Sequence, residues 1–167
     1  KNNRFILVFN GEIYNHLELR KCLNLKISNK KWKGSSDTET LLNLIEFFGL
    51  EDSLELIEGM FSFALLDTWQ HKIILCRDRF GEKPLYYGLN NGVFFFGSQL
   101  KSFKPHPKWK PEISKDGLNQ YFLKGYIGGN HTIYRGIYKL RPSQYISLDI
   151  KNINLLNTKT YSKENLN

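Results

Sequence analysis

Helical periods and strand-length apolar runs share this chain of 167 residues, and together they predict an α+β fold. Leu41, Leu42, Ile45 and Phe48 recur at helical spacing behind a capping sequence. By contrast, Phe61-Ser62-Phe63-Ala64-Leu65-Leu66 and Val93-Phe94-Phe95-Phe96 are apolar almost throughout. Strands of that kind are covered on both faces, which calls for a layered arrangement. A composition of 41% hydrophobic and 24% charged residues is that of a globular chain. No run approaches the roughly 18 apolar residues of a spanning helix, so a membrane protein is not expected.

The elements follow in order. Phe5-Ile6-Leu7-Val8-Phe9 is an extended run, broken at Asn10-Gly11-Glu12. Asn15 is an N-cap residue for a short helix through Leu17, Arg20 and Leu23. Lys26 to Ser35, basic and polar, reads as a loop. Ser36-Asp37-Thr38-Glu39 has the form of a capping box with Ser36 facing Glu39, and Gly49 stops the helix that follows. Glu51 to Glu58 makes a further short helix with Leu54 and Ile57 inward. Met60 to Asp67 and Lys72 to Arg77 are strands joined by a polar turn. Residues 84–89 and 93–97 pair around Asn90-Asn91-Gly92, where Asn-Gly signals a hairpin. Ser114 to Leu123 is helical, Gly125, Gly128 and Gly129 mark a loop, and a last strand lies near Gln144 to Asp149. Lys151 to Asn167, rich in Asn, Lys and Ser, reads as a tail or the start of a linker.

Several kinds of chemistry are not expected. His16, His71, His106 and His131 are scattered and Cys22 lies far from Cys76, so no metal-ligand spacing exists. Two cysteines make no disulfide scaffold, and a reducing, cytoplasmic setting is the expectation. No phosphate-binding glycine loop is present. The formal charge of +8 is placed unevenly: residues 1–100 hold 12 basic and 12 acidic side chains, residues 101–167 hold 12 and 4. Lys101, Lys104, Lys108 and Lys110 interleave with Phe103, His106 and Trp109, the pattern of a nucleic-acid stacking platform. With 18 Lys against 6 Arg and 16 Asn in the chain, compositional bias is the better reading, and no nucleic-acid partner is expected.

The remaining candidates end secondary elements. The Asn10 amide beside the Gly11 N–H offers two neutral donors, the pair that an oxyanion hole requires. Glu12 could hold an ammonium. Asp37, at a helix start, accepts backbone N–H groups. On spacing alone the plain readings prevail: Asn-Gly is a turn, Asp37 a cap, and Arg77-Asp78-Arg79 a structural ion-pair corner.

Read together, six blocks carry more. Phe9 to His16, Gly34 to Thr40, Glu58 to Ala64, Arg77 to Tyr87, Phe96 to Lys101 and Ile133 to Pro142 resemble, in order, the glutaminase domain of glutamine-hydrolysing asparagine synthetases. The resemblance spans residues 3–150. It implies a four-layer αββα sandwich of the N-terminal-nucleophile class, lacking its front strands here, so that an uncovered sheet with exposed apolar surface is expected. By the same resemblance Asn10 and Gly11 form the oxyanion hole, while Glu12 and Asp37 bind the α-ammonium of glutamine. No metal or cofactor is implied for this chain. ATP and Mg²⁺ would serve a C-terminal synthetase domain that amidates aspartate.

The chain departs from that pattern at both ends. Lys1 is no initiator, and no signal peptide precedes the first strand, so the front reads as cut or processed. The N-terminal Cys nucleophile and the substrate-carboxylate arginine do not occur, and Cys22 and Cys76 fall in later blocks. These 167 residues are therefore expected not to hydrolyse glutamine alone. The resemblance leaves room for a homodimer. Related amidotransferases acting on another carboxylate, and a non-catalytic remnant, stay open as alternatives.

Overall fold

A computed structural model describes residues 4–27 and 30–161, leaving out the side chains of 153–157. The first strand does not stop at Asn10. β1 spans Phe5–Ile13 and pairs antiparallel along its whole length with β2 (Gly59–Asp67), from Phe5↔Asp67 to Ile13↔Gly59. Gly11 sustains this ladder rather than breaking it. At φ +150° it lies opposite Phe61, and a Cβ there would fall 2.1 Å from the Met60 carbonyl oxygen and 2.6 Å from the Phe61 Cα. Gly59 is pressed as closely on the Glu12 carbonyl, at 2.1 Å.

Side chains alternate along β1, and its odd-numbered residues face the helices α1 (His16–Lys26), α2 (Asp37–Phe48) and α3 (Leu50–Leu56). Leu19, Leu23, Leu41, Leu44, Leu54 and Ile57 from those helices enclose Ile13, Phe61 and Phe63 in the main core. The capping box forms only in part. Ser36 accepts from the Thr38 N–H at 3.1 Å, but Glu39 turns to the preceding loop and accepts from Lys33 and Gly34. Asn15 likewise makes no cap with its side chain. It reaches across to α3, donating to the Leu56 carbonyl at 2.9 Å and accepting from the Glu58 N–H at 3.0 Å.

β2 continues into β3 (Lys72–Arg77), and the five-stranded sheet runs β1-β2-β3-β7-β8, with β7 at Gln144–Asp149 and β8 at Asn152–Thr160. A three-stranded sheet, β5-β4-β6, comprises β4 (Tyr86–Asn90), β5 (Val93–Gly97) and β6 (Ile137–Lys139). Ala64, Leu75 and Ile146 of the larger sheet pack on Leu85, Leu140, Tyr87 and Phe94 at the smaller one. Beyond it, Phe103 of a 3₁₀ turn (Leu100–Phe103) and Trp109 cover Phe95 and Ile137, and α4 (Lys115–Lys124) lies close to this layer through Gly117 against Thr132. The layers are helices, sheet, sheet and a helix-bearing outer layer, the αββα order that the resemblance implies and that agrees with the doubly apolar strands. β1 has one partner among the described residues, and Ile6 and Val8, on its cleft-side face, are 55% and 63% exposed.

The segment read as a tail corrects that expectation. Asn is a poor strand former, but β8 obtains its ladder laterally from β7, and Tyr161 donates its hydroxyl to the Arg77 carbonyl at 2.7 Å. Lys159 and the Tyr145 hydroxyl both bind Glu51 of α3. Residues 162–167 of the expected tail lie outside the described residues.

The Arg77-Asp78-Arg79 corner is also built differently from an ion pair. Asp78 is fully buried, and its carboxylate accepts from the main-chain N–H groups of Phe61, Phe80, Glu82 and Lys83 at 3.0 to 3.3 Å. Arg77 donates to the carbonyls of Lys83, Leu140 and Gly81. Arg79 caps the carbonyl end of α3 through Leu54, Glu55 and Ile57. Each side chain serves backbone groups left over where strands and helices end.

Asp78→Asn turns an amide NH₂ toward these donors and is expected to destabilise the protein by about 3 kcal/mol or more in denaturant unfolding. A second buried carboxylate, Asp67 at the end of β2, ties the residue before β1 to the turn that leads into β3. Asp67 accepts from Arg4 at 2.7 Å and from the Trp69 and Gln70 N–H groups. Burial raises its pKa, and these partners outweigh burial and hold it below the ordinary value. A carboxyl depressed in the folded state stabilises fully above its unfolded pKa, about 3.9, and loses that contribution as pH falls through the folded value. Asp67→Asn should therefore lower the melting temperature clearly at pH 6, with the gap to wild type narrowing as pH drops below about 4.

Candidate functional site

The four candidate residues converge where the rim of β1 meets the cleft between the sheets. Asn10 and Glu12 lie two apart, so both side chains project from the cleft-side face, and both are exposed. The Asn10 Nδ2 donates to the Ser98 Oγ at 3.1 Å, across the cleft. That cleft encloses about 160 Å³ and is lined by Val8, Asn10, Ser62, Leu85, Phe96 and Ser98 among others.

Gly11 contributes by the direction of its backbone. Phe61, opposite it, sends its N–H to the Asp78 carboxylate at 3.3 Å, and its carbonyl accepts from the Asp78 N–H at 2.8 Å. Both groups thus turn away from β1. Opposite residues of an antiparallel ladder exchange both hydrogen bonds or neither. The Gly11 N–H therefore points outward from the far edge of β1. Two residues on, about 7 Å along the strand, the Ile13 N–H leaves that same edge to reach the Asp37 Oδ2 at 3.0 Å.

Asp37 is held there by its place in α2. Ser36 caps the helix, and Asp37 is its first residue, with Oδ1 accepting from the Thr38 N–H at 2.7 Å. The loop before it is fixed by Arg20, which donates to the Gly34 and Ser36 carbonyls and the Thr40 hydroxyl, each at 2.7 Å, and stacks over Trp32. The result is an edge with an amide and an N–H donor at one end and carboxylates at the other. Such an edge can hold a developing negative charge and an ammonium a few ångströms apart.

Two contributors were given no role in the site by the sequence. Ser98 sits 88 residues from Asn10 and is brought opposite it only by the packing of the two sheets. Asp78 fixes the orientation of Phe61 and so of Gly11. No local signal in the sequence marks either pairing.

The other polar groups do not assemble a competing centre. Among the described residues no group of three or more His, Cys, Asp or Glu side chains could hold a metal ion. Cys76 is buried in the core, and burial pushes its thiol pKa well up, which keeps it protonated. Cys22 lies on α1. A hollow of about 710 Å³ beside α2 mixes apolar and polar lining, and several of its polar groups bind one another: Lys30 donates to Asn43, and Glu39 accepts from Lys33 and Gly34. The aromatic residues between Lys101 and Lys110 turn inward, Phe103 and Trp109 meeting Phe95 edge-on or tilted at 5.3 and 5.1 Å, so they form core and not a stacking platform. No helix among the described residues is long and apolar enough to cross a membrane.

The sequence pattern of a family described as "Glutamine amidotransferase domain" matches residues 1–162. The chain is 33% identical over 157 residues to asparagine synthetase [glutamine-hydrolyzing] 3 of Bacillus subtilis, covering 93% of this chain and 25% of that protein. It is 32% identical over 165 residues to asparagine synthetase [glutamine-hydrolyzing] 1 of the same organism, covering 99% and 25%. The chain thus spans about a quarter of the length of these relatives. In fold it matches the glutamine phosphoribosylpyrophosphate amidotransferase of B. subtilis, solved with ADP and GMP, with a TM-score of 0.68 at 19% identity over 98% of this chain and 30% of that one. The match along residues 1–162, with relatives 32% and 33% identical over nearly the whole chain, places this chain in the class II glutamine amidotransferase domain family.

Proposed function

We propose that this chain is the glutaminase part of an asparagine synthetase, releasing ammonia from glutamine for the ATP-dependent amidation of aspartate. The observation that carries the reading is the outward Gly11 N–H beside the Asn10 amide, two residues before the Ile13 N–H that holds the Asp37 carboxylate at the same strand edge. That spacing suits the reach of a glutamine side chain. Its amide carbonyl oxygen lies toward Asn10 and Gly11, and its α-ammonium toward Glu12 and Asp37.

In this reading a thiolate attacks the glutamine amide carbon, and the carbonyl π electrons move onto oxygen. The Asn10 Nδ2 and Gly11 N–H receive that oxyanion as neutral donors already in place, so little reorganisation accompanies the charge. On collapse the C–N bond breaks and the leaving nitrogen takes up the proton that the thiol gave up, departing as ammonia; water then hydrolyses the thioester to glutamate and regenerates the thiol. The nucleophile in this reading is a cysteine outside these residues, since Cys76 is buried in the core and Cys22 lies in the middle of α1. The 167 residues alone are accordingly inactive. The names of the relatives support the asparagine assignment, and ATP and Mg²⁺ belong to a synthetase region beyond this chain.

In the full-length protein, Asn10→Ala should lower glutamine hydrolysis by about 10²- to 10³-fold while sparing synthesis supplied with free ammonium. Asp37→Asn should raise the KM for glutamine about tenfold or more, read from the same assay, because one carboxylate partner of the ammonium is gone. Full glutaminase activity in Asn10→Ala would overturn the reading.

A further inference from the structure

We infer that Ser98 is a positioning residue for glutamine hydrolysis, holding the Asn10 amide in place so that its nitrogen serves as an oxyanion donor. The inference rests on the glutaminase reading given above. The two ends of an asparagine amide have the same shape and opposite chemistry, one offering two N–H donors and the other only lone pairs. Turned the wrong way round, Asn10 would present an acceptor to a developing oxyanion and oppose the reaction. The amide is held by its partner on the opposite sheet, the Ser98 Oγ, which accepts from Nδ2 at 3.1 Å. One N–H is spent on Ser98, and the second stays available to an oxyanion.

The site of Ser98 is stiff enough for this task. It follows Gly97, the last residue of β5, which pairs with Tyr86. A Cβ at Gly97 would lie 2.8 Å from the Ser102 Oγ and 3.2 Å from the Phe103 ring, so the chain turns there against packed atoms. Ser102 closes the turn by donating to the Gln99 carbonyl at 2.6 Å, and Phe103 is buried beneath it. Across the cleft, the ladder partner of Asn10 is Ser62, whose hydroxyl is directed to the Pro84 carbonyl at 3.3 Å. Ser62 is thus engaged elsewhere, and Ser98 holds the amide from the opposite sheet.

A serine that merely latched the two sheets together would act on stability, and one that touched glutamine would act on KM. A serine that orients the oxyanion donor acts on kcat. The test uses the full-length protein with three substitutions: Ser98→Ala removes the acceptor, Ser98→Cys keeps the shape with a weak acceptor, and Ser98→Thr restores the hydroxyl. Ala and Cys should each lower kcat for glutamine hydrolysis by about tenfold, short of the ~10²–10³ of losing the donor itself, with KM held within about twofold. Thr should recover most of the rate, and the melting temperatures of all three should stay near wild type. Ala and Cys variants as active as wild type, with Asn10→Ala silenced, would overturn the role of Ser98 and leave the glutaminase reading intact. Rate losses that track lowered melting temperatures, or a rise in KM alone, would also overturn it. An active Asn10→Ala protein would instead remove the glutaminase reading itself.

Discussion

Four main-chain N–H groups converge on the carboxylate of Asp78, which water does not reach. Three come from the turn between residues 80 and 83, and the fourth comes from Phe61 on β2. The Asp78 N–H donates to the Phe61 carbonyl and its own carbonyl accepts from the Ser143 N–H, so one residue joins β2, the turn and the approach to β7. Buried peptide donors without partners would each carry a large desolvation cost, and no water is at hand to replace the carboxylate. The same contact fixes which way the polar groups of Phe61 face. Through the alternation of the ladder it thereby fixes which way the Gly11 N–H faces on the neighbouring strand. A structural carboxylate in the core thus decides the direction of a donor at the rim.

Parts of this arrangement are legible in the residues. The helical stripe of α2, its Ser36 cap and the Asn-Gly hairpin each depend on interactions within a few positions, and they form where the sequence places them. The two-sided apolar runs announce two covering layers, and both are present. Reading fails where the deciding partner is far away in the chain. Asn10-Gly11-Glu12 resembles a turn because Gly11 weakens a strand in isolation, yet the glycine is required by the closeness of β2. Asn15 resembles a cap, but its amide has a stronger use bridging to Leu56 and Glu58. The Asn-rich stretch at 152–160 looks irregular because its pattern carries little strand preference. It becomes β8 because β7 presents an open ladder. The candidate site was visible as residue types, while Ser98 and the outward turn of Gly11 are products of register and sheet packing that no local pattern encodes.

The site shares its rim position with a demand on the helices. Asp37 reaches the edge of β1 only because α2 begins there, and α2 begins there because Arg20 gathers the preceding loop by three hydrogen bonds. Tyr14 and Asn15 then tie the end of β1 to Glu58, just before β2 starts. The strand that carries Asn10, Gly11 and Glu12 is therefore fastened at both ends, by Arg4–Asp67 at one and by Asp37 and Glu58 at the other, while its middle remains open to the cleft.

The order in which these parts leave the ribosome follows from the pairing of β1 with β2. β1 is synthesised before β2, and the strand that completes their shared ladder begins only at Gly59, after three helices have been made. During that interval Ile6, Val8 and Phe9 lack the β2 ladder and the covering sheet. The helices can shelter one face of β1 early, because their contacts with it are closer in sequence. Ser98 arrives later still, so the amide of Asn10 is among the last groups of the site to find its bond.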